Sequence, residues 1–126
     1  MKVYLCGPIH GCTDEECKDW RDYIKASYSF DTIDPMRRDY RGREAECYRE
    51  VVELDKRDIR SADVVLVNCP KPSHGTSMEI LYAWSLGIPV VVVCPAGTGT
   101  SPWLRYHSLR TFHTFAEAIG WIEETL

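Results

Sequence analysis

Three stretches of this chain are apolar almost without a break, and they constrain its fold more than any other feature. They are residues 2–6, 64–67 and 88–93, with a shorter strand candidate at 30–33. A strand with one wet face alternates apolar and polar side chains, whereas an unbroken apolar strand is covered on both faces. Valine, isoleucine and leucine dominate the later two runs, which suits extended backbone. Between the runs lie helix-like segments. Residues 14–27 are one, with Thr13 and Glu16 at capping-box spacing. Residues 43–62, 76–86 (stopped by Gly87) and 114–125 are the others. Strands separated by helices require crossover connections, and these are right-handed. The expectation is one α/β domain over residues 1–126, doubly wound in the Rossmann or flavodoxin-like manner around a parallel sheet of about five strands. Ligands of such sheets bind beyond the carboxyl ends of the strands. That rule marks four loops, beginning near Gly7, Asp34, Asn68 and Pro95.

The totals remove several function classes. A chain of 126 residues fits a single core. Its net charge of -4 argues against gripping a nucleic-acid polymer through its phosphates. No apolar run approaches the roughly 20 residues that span a bilayer, so no membrane partner is expected. The sequence opens directly on a strand without a leader-like segment, and a cytoplasmic location is the expectation. The six cysteines form no C-x-x-C pair and have no histidines at zinc-finger spacing. They read as reduced, small apolar side chains, and neither a metal nor a cofactor is expected.

Two acids stand where apolar residues belong. In the helix 43–62, Tyr48, Val51, Val52, Ile59 and Ala62 form the apolar stripe, and Asp55 falls on it, four residues from Val51 and from Ile59. A carboxylate there must be partnered or must line a polar cavity. A salt bridge to Arg37 or Arg38 and a catalytic role fit equally. In the helix 76–86, Thr76 and Glu79 have capping-box spacing, which offers a purely structural role. Yet Glu79 shares a face with Tyr82, Ala83 and Leu86, in what reads as the first helical turn after a strand end. A helix N-terminus there favours an ionised carboxylate. An aimed, ionised carboxylate is what nucleophilic glycosyl transfer requires, and a second acid can orient it or protonate the leaving group.

The motifs carrying these acids resemble those of the nucleoside 2-deoxyribosyltransferases and their relatives, the 5'-monophosphate N-glycosidases. The resemblance covers nearly the whole chain. It runs through Val3-Tyr4-Leu5-Cys6-Gly7-Pro8-Ile9-His10-Gly11, through Asp55 with Ser61-Ala62-Asp63-Val64-Val65, and through Pro72-Ser73-His74-Gly75-Thr76-Ser77-Met78-Glu79. It implies Glu79 as nucleophile, Asp55 as its supporting acid and Tyr4 as an aromatic residue of the active site. It implies substrate binding by the turn Gly7, Ile9, His10 and Gly11, and by Ser73 and Gly75. Nucleoside-specific transferases usually carry an acid six residues before the nucleophile. Ser73 stands there instead, as in the nucleotide hydrolases. An aspartate would repel a 5'-phosphate, whereas a serine can donate a hydrogen bond to it.

Where those hydrolases carry a serine and an arginine, this chain has Pro8 and His10, so positive charge must come from His10 or Lys71. Ser101 falls near the position from which the family lends a phosphate-binding serine to a neighbouring subunit, and a homo-oligomer is implied. In the charged segment 34–42, Asp34 is the candidate ligand contact. The reading is N-glycosidic cleavage of a nucleoside or nucleotide, by hydrolysis or by base exchange. A non-catalytic nucleotide-binding module is the competing reading, and it would not need Asp55 and Glu79 together.

Overall fold

The computed structural model describes residues 1–95 and 100–126. Five strands, β1 (Lys2–Cys6), β2 (Asp31–Ile33), β3 (Val64–Asn68), β4 (Val90–Val93) and β5 (Arg110–Phe112), form one parallel sheet in the order β2-β1-β3-β4-β5. Tyr4 lies beside Val65, and Val65 beside Val90, so the apolar runs stack in register through the middle of the sheet. The alternation of side chains divides them between two cores. Val3, Leu5, Val64, Leu66, Val91 and Val93 face one side. There they meet Trp20 and Ile24 of helix α1 (Asp14–Ser27) and Ala118, Ile119 and Ile122 of helix α5 (Phe115–Thr125). Tyr4, Cys6, Val65, Val67, Val90 and Val92 face the other. Their partners are Ile59 of helix α2 (Glu44–Arg60) and Ile80 and Ala83 of helix α3 (His74–Ser85). Both faces are covered, which is why these strands carry almost no polar residue.

The strand order reverses between β1 and β3, so the chain leaves their carboxyl ends in opposite directions and opens a crevice there. Gly7 sits at that point. A Cβ on it would come within 2.8 Å of the Trp20 ring and 3.2 Å of the Asn68 carbonyl oxygen, so only glycine lets the turn pass. The capping box of Thr13 and Glu16 forms as expected.

The sheet has the expected five strands; the fifth, β5, was not located from the sequence, because it carries no apolar run and its first two residues are exposed at the sheet edge. Two expectations need correction. The stripe of α2 is buried only in its last turns. Tyr48 and Val52 are 56% and 48% exposed, and the residues of the helix that are buried are Asp58 and Ile59. Helix α3 begins at His74 rather than Thr76, with the Ser73 side chain accepting from the Thr76 amide at 3.3 Å. Ser73 is thus the N-cap, Thr76 and Glu79 form no capping box, and Glu79 lies in the second turn. A short helix, α4 (Pro102–Tyr106), precedes β5. Among the described residues, no helix is long and apolar enough to cross a membrane.

Candidate active site

Three elements bring their polar side chains together at the switch point. Tyr4 and Cys6 are two apart on β1, so both point to the α2/α3 side of the sheet. Asp55 reaches in from α2 and Glu79 from α3. The Tyr4 hydroxyl is buried and meets no partner at good hydrogen-bond geometry. The acceptor it faces is the Glu79 carboxylate. The Cys6 thiol also faces Glu79, and its Sγ lies 4.0 Å from the Thr76 carbonyl oxygen.

Burial governs the protonation of this group. Glu79 keeps part of its surface open, yet protein encloses its carboxyl group. Desolvation, followed by the Asp55 charge, pushes Glu79 up to about 7, against smaller lowering by Tyr4 and Cys6. The N-terminus of α3 does not hold Glu79 strongly ionised, as its expected first-turn position implied. It is a turn further in, where burial outweighs the helix dipole. Asp55, its side chain 18% exposed, is pushed up to about 6 by burial, partly offset by Arg38. Burial and the nearby Glu79 push both the Tyr4 hydroxyl and the Cys6 thiol well above their ordinary values, so both remain protonated donors. Two acids that titrate near neutrality in one cleft are the mark of acid–base or nucleophilic chemistry.

At the start of α3, a cleft of about 320 Å³ is lined by His10, Cys12, Lys71, Ser73, His74 and Gly75, among others, but not by Tyr4, Cys6, Asp55 or Glu79. It joins the Gly7–Gly11 turn to the N-terminus of α3. Backbone amides of that first helical turn, with the Ser73 hydroxyl, make a site suited to an anion. Gly11 adopts φ 72°, and the Cys12 amide donates to the Ile9 carbonyl at 3.0 Å, which closes the turn. His10 projects outward, its side chain 88% exposed, with its ring 3.1 Å from Glu44. The Lys71 ammonium is held by Glu16 at 2.8 Å.

Two proposed contacts lie apart from this cluster. Asp34 accepts from the Met36 amide at 2.8 Å and from Lys25 Nζ at 2.7 Å, so both of its oxygens are committed locally. Ser101 is exposed, caps α4 by accepting from the Leu104 amide at 3.2 Å, and does not line the cleft of its own chain.

Sequence reasoning missed two residues of the site. Cys6 read as an apolar strand residue, although its i+2 spacing from Tyr4 placed both on one face. Arg21 reads as one of many charges on a helix, yet it is fully buried. It donates to the carbonyls of Cys17, Gly7 and Leu5 at 2.6, 3.1 and 3.2 Å, and so holds the turn that follows β1. Its charge lowers the proton affinity of Glu79. Arg38, expected from the sequence as a candidate partner of Asp55, does pair with it: its Nη2 lies 2.6 Å from Asp58 and 3.6 Å from Asp55. Among the described residues, no three histidine, cysteine, aspartate or glutamate side chains converge to hold a metal ion.

Comparison with known proteins places this geometry. The sequence profile described as nucleoside 2-deoxyribosyltransferase matches residues 3–117. No curated protein matches the sequence. Among solved structures, a 2-deoxyribosyltransferase from the psychrotolerant bacterium Bacillus psychrosaccharolyticus superposes with a TM-score of 0.76 at 18% identity, covering 93% of this chain and 89% of that one. The CMP N-glycosidase of Clostridium botulinum gives a TM-score of 0.61 at 16% identity, covering 98% and 99%. A conserved protein from Enterococcus faecalis V583 gives 0.75 at 15% identity, covering 99% and 98%. At these identities the superpositions establish the shared fold.

Proposed function

This chain belongs to the nucleoside 2-deoxyribosyltransferase family, whose members act on small nucleoside or nucleotide substrates, and we propose that it cleaves the N-glycosidic bond of a (deoxy)nucleoside 5'-monophosphate. The observation that supports this is the convergence of Glu79, Asp55 and Tyr4 beside a cleft that ends on Ser73 and Gly75. In the first step, a Glu79 carboxylate oxygen attacks the anomeric carbon. The bond to the base nitrogen breaks, its electron pair stays on the base, and a proton supplied through Asp55 or solvent neutralises the base. The product is a glycosyl ester on Glu79. In the second step, water adds to the anomeric carbon, gives up a proton, and frees the Glu79 carboxylate and the sugar phosphate. Tyr4 and Cys6 donate toward Glu79 and orient the attacking oxygen. The amides at the start of α3 and the Ser73 hydroxyl receive the 5'-phosphate, with Lys71 and His10 near the rim.

The same reading includes a homo-oligomer. Met78, Leu81 and Trp84 on α3 are exposed and continue into Trp103 and Tyr106 of α4, with the Trp84 and Tyr106 rings 6.2 Å apart. An apolar patch of this kind suits a second copy, and it brings the α4 end that carries Ser101 toward a neighbour.

The test is incubation with ribo- and deoxyribonucleoside 5'-monophosphates and the matching nucleosides, with and without an acceptor base, read as free base by chromatography. Base released from a monophosphate without acceptor, and lost in Glu79→Ala, is the expected result. Product only with an acceptor makes the protein a transferase. Unaltered nucleotide with equal binding by both proteins makes it a binding module.

A further inference from the structure

The acid that supports the nucleophile is itself held. Asp55 lies on a helix face that packs toward the sheet, where a carboxylate needs a partner. Its ion-pair partner is Arg38, whose side chain is 19% exposed and comes from the segment after the 3-10 turn Pro35–Arg37. A single guanidinium nitrogen, Nη2, lies 2.6 Å from Asp58 Oδ2 and 3.6 Å from Asp55 Oδ1. Asp58 is 6% exposed, and Arg37 Nη2 grips it a second time, 2.8 Å from each oxygen. Arg38 is thus anchored on a buried acid one turn further along α2 and spans to Asp55. No other base stands as close to the catalytic pair among the described ion pairs.

We propose that Arg38 is a positioning residue, which fixes the Asp55 carboxylate relative to Glu79 and decides which of the two acids takes the first proton. This rests on the reading of Glu79 as nucleophile and Asp55 as its supporting acid. The groups facing Asp55 are Arg38 and Arg37 from the loop after β2, Asp58 from its own helix, Tyr4 from β1 and Glu79 from α3. Only the two arginines favour the ionised form of Asp55, and Arg38 does so more strongly. With Arg38 present, Asp55 stays ionised and its charge raises the proton affinity of Glu79. Without it, burial acts on Asp55 against the weaker pull of Arg37 alone. The first proton to enter the pair then settles on Asp55 and leaves Glu79 free to attack at lower pH.

The experiment compares wild type with Arg38→Gln and Arg38→Lys, each profiled as kcat and kcat/KM against pH, beside a Glu79→Gln control. Arg37 retains its two contacts to Asp58 in both variants, so the buried acid is not left unpaired. In Arg38→Gln the acid limb of kcat/KM moves down by about half a pH unit or more. Its plateau kcat falls about tenfold with little change in KM, because Asp55 is no longer fixed. Arg38→Lys keeps a cation between the two acids and holds the limb near its wild-type position. It also keeps the inference testable should the glutamine variant not fold, since a limb displaced in the lysine variant overturns the proposal. An unmoved limb with unchanged kcat in Arg38→Gln means that Arg38 only neutralises Asp58. A raised KM with an unmoved limb means that it touches substrate. Either result overturns the proposal. If Glu79→Gln remains active, the nucleophile reading fails instead; if that variant is inactive and the Arg38→Gln limb is unmoved, only the role of Arg38 fails.

Discussion

At the scale of residues, the site depends on placing acids where folding alone would not place them. In the folded protein, Glu79 binds its proton up to about 7, against 4.5 for an unperturbed glutamate, and Asp55 up to about 6 against 3.8. Raised acid pKa values mean that the folded state binds protons more tightly than the unfolded state. Their penalty is absent at low pH and grows as pH climbs from roughly 4 to 7. Glu79→Gln removes the largest part of it. The variant should lose activity and yet gain about 3 kcal/mol of stability at pH 8, with little gain at pH 4, measured by denaturant unfolding at both values. A variant no more stable than wild type at pH 8 would mean that Glu79 is not desolvated as described. Tyr4→Phe removes a donor that favours ionised Glu79. It should move the acid limb of kcat/KM upward and lower kcat about tenfold. An unchanged limb would separate Tyr4 from the nucleophile.

At the scale of elements, helix α3 carries both the proposed nucleophile and the proposed anion site, and its start sets their spacing. Sequence spacing pointed to Thr76 as the start, because Glu79 completes a capping box with it. The chain caps at Ser73, which frees Glu79 for the crevice. Ser73→Asp tests the anion site with the cap preserved, since aspartate caps as well as serine. The expected result is a KM for the nucleoside monophosphate raised about tenfold or more by charge repulsion, with nucleoside turnover spared. Equal effects on both substrates would remove the phosphate from this end of the cleft. The inner strands were legible because burial on both faces leaves an unbroken apolar run. Asp63, just before β3, accepts from the Lys2 amide of β1 at 2.7 Å, a long-range bond that spacing does not reveal. The edge strand β5 was not legible, because half-wet residues such as Arg110 and Thr111 leave no such run. Arg21 was equally hidden, since one-dimensional spacing cannot distinguish a solvated arginine from one folded against carbonyls, whereas the unpartnered acid Asp55 pointed to Arg38.

At the scale of the whole molecule, the strand order makes the site by separating the loops after β1 and β3, and the family's shared fold follows from that order. The outer faces of α3 and α4 carry apolar side chains that the single chain leaves uncovered, Trp103 at 75% exposed and Tyr106 at 71%. Sedimentation should therefore show a dimer or larger assembly. Trp84→Glu should shift it toward monomer, and a wild-type monomer at high concentration would contradict the oligomer reading. The central claim is that Glu79 becomes covalently bonded to the sugar. Its most direct test is acid quenching during turnover of a nucleoside 5'-monophosphate, followed by peptide mass measurement. The predicted result is a sugar-phosphate ester on the peptide that contains Glu79, absent in Glu79→Gln. Base release that continues undiminished in Glu79→Gln, with no adduct on the wild-type peptide, would contradict it.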